Sequence, residues 1–182
     1  MSRTDARIRY TQGVLKQALL SFLQEKPINK ITVKEVCERA ELNRATFYAH
    51  YSDCFALLES IEEDLLEAFR QSLKLVDSFD VTALIEAIYT MIEQQQEACR
   101  VLIFQNASPN VLRRMISLAR VKSIAYRKQH LHRETDAELE MLYTHLSNGL
   151  MHVVVEGYEK YSREEVVRFV NRIVRCSLSQ FQ

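Results

Sequence analysis

The hydrophobic positions of the chain recur at the spacing of amphipathic helices. From Ile8 up to the Lys26-Pro27 pair, apolar residues return at steps of three and four positions, so they share one face of a predicted first helix. Later helices with the same spacing are predicted over residues 54–76, 81–98, 108–128, 136–161 and from Ser162 onward, with a short apolar stretch over 101–104. Together with two short helices before residue 54, the pattern predicts an all-α fold of about nine helices.

The two short helices are predicted from their start signals. Thr32 and Glu35 have the spacing of a capping box, which opens a second helix that runs to about Ala40. Asn43 is a suitable N-cap for a third helix that begins only three residues later. Helix, tight turn and helix is the pattern of a helix-turn-helix, in which the second helix of the pair is presented to a groove of DNA.

Further capping and packing signals lie in the rest of the chain. Asp53 is placed to cap the fourth helix, and Ser162 with Glu165 forms a second capping box that opens the last helix. Gly149 and Gly157 lower the helix propensity of the predicted penultimate helix. We therefore expect both glycines to allow the close approach of a neighbouring element.

Composition excludes several classes of protein. Only three Gly and two Pro occur in 182 residues, which is too few to turn the many short strands of a sandwich or barrel. No apolar run reaches the roughly 18 to 20 residues that span a bilayer, and the polar start of the sequence is unlike a signal peptide. We expect a cytoplasmic protein with no membrane partner.

The cysteines and histidines do not indicate a metal site or a disulfide framework. Cys37, Cys54, Cys99 and Cys176 are far apart and form no CxxC pair, so we expect reduced thiols that are mostly packed. His130, His132 and Glu134 form one cluster that could suggest a metal site. They lie in a linker rich in basic residues, and such a linker is more often solvated. We expect neither a metal nor a cofactor.

Charge is distributed unevenly along the chain. The whole sequence has 24 basic and 24 acidic residues, which argues against a protein that coats nucleic acid. Residues 1–54 have nine Lys and Arg against six Asp and Glu, a net charge of +3, whereas residues 55–182 have 15 against 18, a net charge of −3. The first third of the chain is therefore the better candidate for binding an anion.

The predicted third helix, residues 44–51, carries the most informative side chains. Phe47 and Tyr51 are four residues apart, so they share a face and are expected to be buried. The opposite side has short or hydrogen-bonding residues that can approach base edges and phosphates: Arg44, Ala45, Thr46, Tyr48 and His50. Thr32 adds a hydroxyl group at the start of a helix, where a phosphate is favoured. On periodicity alone, two ordinary short helices of a helical bundle remain an alternative.

Residues 31–51, ITVKEVCERAELNRATFYAHY, closely resemble the DNA-binding signature of the TetR family of bacterial transcription regulators. The resemblance covers roughly residues 8–65. Its most specific parts are Thr32 at the helix start, the Ala-x-x-x-Arg-x-Thr-Phe-Tyr-x-His-Tyr string from Ala40, and the Leu-rich fourth helix.

The resemblance implies a helix-turn-helix DNA-binding domain over residues 1–54 and a helical effector-binding and dimerisation domain over residues 55–182. It implies a homodimer, usually formed through the last two helices, and double-stranded DNA with a palindromic operator as the partner. By position, Thr32 and His50 correspond to phosphate contacts and Phe47 to the residue that docks the recognition helix. The groove-facing surface corresponds to Arg44, Ala45, Thr46 and Tyr48.

One position departs from the family pattern. The family commonly has a phosphate-contacting Lys at the start of the fourth helix, where this chain has Cys54. The missing contact could be supplied by Lys34, or by arginines near the N-terminus, namely Arg3, Arg7 and Arg9. We therefore expect a modest dependence of DNA binding on salt.

No effector site can be assigned from the residues. Helices over 81–128 contain apolar and aromatic residues of the kind that line cavities, but at helical spacing such residues are more often plain core; they are Tyr89, Met91, Ile92, Phe104, Met115 and Tyr126. The apolar faces after Asp136 fit either a dimer interface or burial within one subunit. Effector identity and pocket residues stay unknown.

Three functional hypotheses follow. The first is a homodimeric repressor that an effector releases from its operator. The second is a regulator or activator of the same fold whose C-terminal domain responds to a protein partner. The third is a helical adaptor or enzyme that carries a helix-turn-helix, although the sequence has no Gly-rich phosphate loop, GxSxG motif or paired-carboxylate pocket signature.

Overall fold

The computed structural model describes residues 3–74, 81–105, 108–130 and 135–179. Within these ranges it has nine α-helices and no β-strand, which confirms the predicted all-α class. The helices are α1 (Arg3–Leu23), α2 (Val33–Arg39), α3 (Arg44–Tyr48), α4 (Cys54–Lys74), α5 (Val81–Gln94), α6 (Gln96–Cys99), α7 (Pro109–His130), α8 (Asp136–Gly157) and α9 (Arg163–Ser179). None of the described helices combines the length and apolarity that crossing a membrane requires.

The predicted single helix over 81–98 is interrupted at Gln95, between α5 and α6. Helix α5 ends at Gln94, and after the short helix α6 the backbone forms a π-helical turn over Arg100–Phe104. Ala98, Cys99 and the consecutive residues 101–103 are all buried. This segment is enclosed on more than one side, so it lacks the single apolar face from which a regular amphipathic helix is predicted.

The predicted helix starts are confirmed by their hydrogen bonds. Glu35 N–H donates to Thr32 Oγ1 at 3.3 Å and Thr32 N–H donates to Glu35 Oε2 at 2.9 Å, which completes the first capping box. Ser162 and Glu165 form the same reciprocal pair at the start of α9. Asp53 Oδ1 accepts a hydrogen bond from Ala56 N–H at 2.8 Å and caps α4.

A further capping box opens α8, and sequence analysis did not predict it. Glu138 N–H donates to Thr135 Oγ1 and Thr135 N–H donates to Glu138 Oε2 at 2.8 Å. The spacing is the same as in the other two boxes. It could have been found from the Thr-x-x-Glu motif that precedes the apolar run.

The turn between α2 and α3 closes through a Schellman motif. Leu42 N–H donates to Cys37 O at 2.9 Å and Glu41 N–H donates to Glu38 O at 3.3 Å. Glu41 lies in the left-handed region, with a φ of 54°. No other non-glycine residue of the described backbone has a positive φ. Helices usually place Gly at this position, because a Cβ atom is crowded there.

The chain divides into two compact units. The first comprises Met1–Leu65 with Glu97–Pro109, and the second comprises Leu66–Gln96 with Asn110–Gln182. This differs from the expected boundary after residue 54, because the beginning of α4 is bound to the rest of the first unit. Lys16 Nζ lies 2.5 Å from Asp64 Oδ2, and Ser108 Oγ donates to Glu62 Oε1 at 2.5 Å.

Each unit has its own apolar core. In the first unit α1 contacts α2 and α2 contacts α3, and its fully buried side chains include Leu15, Leu19 and Phe47. In the second unit α9 contacts both α5 and α8, and its fully buried side chains include Met91 and Met115. Burial of such apolar side chains contributes about 1.5–3 kcal/mol each.

The two glycines of α8 differ in their surroundings. A Cβ atom added at Gly157 would lie 3.2 Å from Val166 Cγ2 and 3.3 Å from Tyr161 Cδ2, so this glycine does allow a close approach. Nothing lies within 4 Å of a Cβ atom added at Gly149. The expectation of a close approach is therefore wrong for Gly149.

Replacing Glu41 tests the strain in the helix-turn-helix turn. Glu41→Gly is expected to raise the free energy of unfolding by about 0.5–1 kcal/mol, because relief of the left-handed strain outweighs the extra backbone entropy of glycine. Chemical denaturation measures this change. Glu41→Ala is the control, since it removes the carboxylate but keeps the Cβ atom. An equal gain in both variants would attribute the effect to charge rather than to backbone strain.

Candidate nucleic-acid interface

Helix α3 is a five-residue helix held at its start by a side-chain cap. Asn43 Oδ1 accepts a hydrogen bond from Thr46 N–H at 2.7 Å. The predicted helix over 44–51 is too long, because helical geometry ends at Tyr48 and the chain turns at Ala49 and His50. His50 N–H donates to Phe47 O, which tightens the last turn.

The inner side of α3 is aromatic. Phe47 is completely buried, and Tyr51 is 8% exposed. Their ring centroids are 6.0 Å apart, within the range of favourable aromatic pairs. Both side chains therefore lie away from solvent, as their four-residue spacing predicts.

The outer side of α3 carries the polar residues selected from the sequence. Arg44 and Ala45 are exposed, and Tyr48 is 58% exposed. Thr46 and His50 are partly buried, and His50 is carried by the turn that follows the helix. The five candidates are thus brought to one short segment whose opposite side is anchored by Phe47.

Two threonine hydroxyl groups of this region are already used as donors. Thr32 Oγ1 donates to Glu35 Oε2 at 2.7 Å, and Thr46 Oγ1 donates to Asn43 Oδ1 at 2.9 Å. A phosphate could accept a hydrogen bond from either hydroxyl only if these bonds were exchanged. Thr46 can nevertheless present its methyl group to a base edge without that exchange.

Glu35 holds a second partner besides Thr32. Lys26 Nζ donates to Glu35 Oε1 at 2.6 Å. The pKa of Glu35 is lowered from 4.5 to about 2. The hydrogen bond from Lys26 is the largest cause, followed by the hydrogen bonds from the side chain and the backbone of Thr32. The carboxylate therefore stays charged at neutral pH and fixes the start of α2.

Lys34 is exposed on α2 and close to an acidic neighbour. Its Nζ lies 3.7 Å from Glu38 Oε1, one helical turn away, with both side chains 64% exposed. Such exposed pairs contribute little, so the ammonium group can turn to a phosphate at small cost. Arg7 and Arg9 are also exposed, while the side chain of Arg3 lies outside the described residues.

Cys54, which stands where the resembled family commonly has a lysine, provides no positive charge. Its side chain is buried, and burial raises the pKa of the thiol to about 11, so the thiol is uncharged at neutral pH. The next residue, Phe55, is 56% exposed and was not singled out from the sequence. Burial also raises the pKa of Cys37 and Cys99, whereas Cys176 is exposed, and all four cysteines are free.

The possible metal cluster lies where the structure gives no side-chain placement. His132 and Glu134 are outside the described residues, and so is the side chain of His130. Among the residues that the structure describes, no three of His, Cys, Asp and Glu come together in a way that could hold a metal ion.

Solved structures with similar folds extend over nearly the whole chain. A TetR transcriptional regulator from Streptococcus agalactiae 2603V superposes with a TM-score of 0.69 and 24% sequence identity, covering 94% of this chain and 97% of that chain. The chain has a TetR-like fold. The dihydroxyacetone kinase operon activator DhaS superposes with a TM-score of 0.64 and 16% identity, covering 94% of this chain and 98% of DhaS.

At the level of fold, these structures confirm the TetR resemblance of residues 31–51. Among curated proteins, the TetR-like chain is 37% identical over 62 residues to YxbF of Bacillus subtilis (strain 168), which is named an uncharacterised HTH-type transcriptional regulator. The match covers 34% of this chain and 16% of the length of YxbF. A scan against models of known protein families finds no match.

The low pKa of Glu35 can be tested by an NMR titration of its side-chain carboxyl carbon. Wild-type Glu35 is expected to titrate near pH 2, and Lys26→Met is expected to move its pKa toward 4.5 because the strongest donor is lost. Since folding lowers this pKa, the carboxylate stabilises the fold above about pH 4.5, and that contribution disappears as the pH falls toward 2.

Glu138 provides the internal control for this titration. Hydrogen bonds from the Thr135 backbone and side chain lower its pKa in an equivalent capping box, and no lysine is among the causes. Lys26→Met should therefore leave Glu138 unchanged. A wild-type Glu35 that titrates in the ordinary glutamate range, or one that ignores Lys26→Met, would contradict the assignment.

Proposed function

We propose that the chain is a sequence-specific DNA-binding transcriptional regulator that acts as a homodimeric repressor and is released from a palindromic operator by an effector. The observation that carries the proposal is the two-sided helix α3. Phe47 is buried, and Arg44, Ala45 and Tyr48 are exposed on the part of a helix-turn-helix that enters a groove. The TetR-like fold supports the same reading.

The exposed groups of α3 have the chemistry of base readout in the major groove. Arg44 can donate two hydrogen bonds to guanine, and the Tyr48 hydroxyl group can donate to or accept from a base edge. The Ala45 and Thr46 methyl groups suit the methyl group of thymine. No residue of this group forms an ion pair among the described residues, so no protein partner has to be displaced from Arg44.

The exposed side of α3, with Arg44, Ala45, Thr46 and Tyr48, is called the reading surface. We propose phosphate contacts on both sides of it. Lys34 is exposed on α2, and His50 follows α3. Thr32 joins them only after its hydroxyl group leaves Glu35. Because the buried, uncharged Cys54 adds no cation, the number of phosphate contacts is small, and a modest salt dependence follows.

Two copies of the chain are needed for useful affinity. One five-residue recognition helix reads only a few base pairs, so two copies must bind half-sites about 34–36 Å apart. Helices α8 and α9 and the turn between them bear exposed apolar side chains that fit a subunit interface. Tyr161 is 61% exposed and Phe169 is 41% exposed, and both line one concave surface with Val153.

Effector release is proposed to act through helix α4. This helix contributes Cys54–Leu65 to the first unit and Leu66–Lys74 to the second. A ligand that favours one arrangement of the second unit would move α4 and change the separation of the two α3 helices. Operator affinity would then fall by the difference in the ligand's affinity for the two arrangements.

Activation is the second candidate. The name of DhaS, whose structure has the same fold, describes an operon activator. The DNA contacts proposed for α3 are the same in this case, but operator occupancy raises transcription and the second unit responds to a protein partner. The name of DhaS therefore bears only on whether operator binding raises or lowers transcription, and the DNA-contacting residues proposed on α3 stay the same.

Variants of the reading surface test DNA binding on a duplex selected from a random library. Tyr48→Ala is expected to lose discrimination between the selected and a scrambled duplex. Lys34→Gln is expected to weaken both duplexes equally and to lower the slope of log affinity against log salt by about 1.8, because one phosphate contact is lost in each of the two subunits. Fluorescence anisotropy over a salt series measures both effects.

Lys128, near the C-terminal end of α7, supplies a control for Lys34. Its Nζ lies 2.7 Å from Asp136 Oδ1, and its side chain is 49% exposed. Lys128→Gln removes the same charge outside the proposed DNA-binding surface and should leave the slope unchanged. The proposal fails if no duplex is enriched, or if both lysine variants change the slope alike.

The dimer is tested by placing a charge on α9. Phe169→Asp is expected to convert the protein to a monomer in analytical ultracentrifugation, because an isolated carboxylate cannot be buried at an apolar interface. Val121→Asp is the control, since Val121 on α7 is 73% exposed and carries an equally apolar side chain. A wild-type monomer at micromolar concentration, or a Phe169→Asp dimer, would refute the interface.

A further inference from the structure

The second unit contains a small apolar cavity. Its volume is about 80 Å³, and helices α4, α5, α7, α8 and α9 all contribute to its wall. The lining includes Phe69 of α4, Met115 of α7, and Leu150 and Met151 of α8. No charged side chain and no histidine lines it among the residues that the structure describes.

Of the six residues considered for a pocket from sequence, Met115 lines this cavity. Tyr89, Met91 and Ile92 are buried core residues outside its lining. Phe104 belongs to the first unit, and the side chain of Tyr126 lies outside the described residues.

The cavity wall contains two hydroxyl groups, those of Tyr143 and Ser147, and only one of them has a partner. Tyr143 donates its hydrogen bond to the backbone carbonyl of Ile116. Ser147 Oγ is buried and has no hydrogen-bond partner within the described part of the chain. A buried hydroxyl group without a partner is unfavourable by about 1–3 kcal/mol, so this group needs a partner in the functional protein.

Several other serine and threonine residues in the described helices pair their hydroxyl groups locally. Ser72, Thr90 and Ser21 each donate back to a carbonyl oxygen three or four residues earlier in the helix. The amide of Asn148, the next residue of α8, also donates to a carbonyl oxygen four residues earlier. Ser147 could form the same local bond, yet its hydroxyl group is left at the cavity wall.

We propose that this cavity binds a small, uncharged organic molecule that is mostly apolar and has one hydrogen-bond acceptor, which accepts a hydrogen bond from Ser147. The apolar wall excludes charged ligands, because a charge without a paired group cannot be buried there. The volume excludes ligands of drug size, which occupy pockets of about 300–1,000 Å³. The flexible side chains of Met115 and Met151 allow modest adjustment of shape.

The role of this molecule as the effector rests on the proposed function. Phe69, in the part of α4 that belongs to the second unit, lies in the cavity wall. A bound molecule therefore touches the helix through which release is proposed to act. The binding itself depends only on the cavity.

Methyl NMR of methionine-labelled protein tests the proposal with three probes of one shape. Cyclopentanone, which has one acceptor, and cyclopentane are both expected to shift the Met115 and Met151 methyl signals, and their ratio of affinities reports the hydrogen bond to Ser147 when wild type is compared with Ser147→Ala. Cyclopentylamine, which is a cation at neutral pH, is expected to cause no shift. Met141 is 64% exposed and does not line the cavity, so its signal is the internal reference.

Ser147→Ala is expected to weaken cyclopentanone binding about fivefold and to leave cyclopentane binding unchanged. Ser72→Ala is the matched control, because that hydroxyl group already donates to Ala68 O and does not line the cavity. The proposal is overturned if no probe shifts Met115 and Met151, if the cation binds as well as the ketone, or if Ser147→Ala leaves the ratio of the ketone and cyclopentane affinities unchanged.

A parallel operator titration separates this proposal from the proposed function. Failure of the probes to bind, with operator binding intact, overturns the ligand class alone. Failure of the unliganded protein to bind any selected duplex overturns the proposed function, and the NMR result still decides what the cavity binds.

Discussion

The complete burial of Phe47 determines which side of α3 faces solvent. A five-residue helix makes too few backbone hydrogen bonds to be stable by itself, so its position must come from packing and from its cap. Phe47 contributes the packing and Asn43 contributes the cap. With these two points fixed, Arg44 and Tyr48 point outward as a geometric consequence. Loss of the aromatic anchor would therefore affect the orientation of every proposed base contact, although Phe47 itself touches no base.

The same short segment is subject to a competition between folding and DNA binding. The hydroxyl groups of Thr32 and Thr46 donate to the capping side chains of Glu35 and Asn43, and both hydrogen bonds would be lost if the hydroxyl groups turned to phosphates. Lys34 and Arg44 are under no such constraint, since an exposed ion pair contributes little and Arg44 carries no cap. Electrostatic attraction to DNA is therefore best assigned to these cations, and the threonines are best assigned to holding the helix ends.

Local chemistry made much of this architecture predictable. Capping boxes, the Asn43 cap and the four-residue spacing of Phe47 and Tyr51 depend on neighbours in sequence, so the sequence pattern was enough to place them. Features that depend on tertiary packing were not predictable. The π-helical turn over Arg100–Phe104 is enclosed on several sides, and a glycine such as Gly149 gives no sign in the sequence of whether anything packs against it.

The candidate sites also divide into those that local sequence predicts and those that depend on tertiary packing. The outward residues of α3 could be chosen from spacing and resemblance, but the cavity could not, because five helices build its wall. Ser147 in particular reads as an ordinary helical serine until its environment is known. The buried, uncharged state of Cys54 likewise depends on packing, although the departure from the family pattern was visible in the sequence.

The small size of the cavity also limits how strongly a ligand could act on DNA binding. A molecule of about six non-hydrogen atoms gains at most about 1.5 kcal/mol per atom and more often much less, so its total binding free energy is a few kcal/mol. Only the difference between its affinities for two arrangements of the protein can shift operator affinity. Typical couplings of about 1–3 kcal/mol, which change affinity roughly 5- to 150-fold, lie within that limit. A modest number of phosphate contacts fits this scale, because an operator complex that depended on many ion pairs would need a larger coupling to release it.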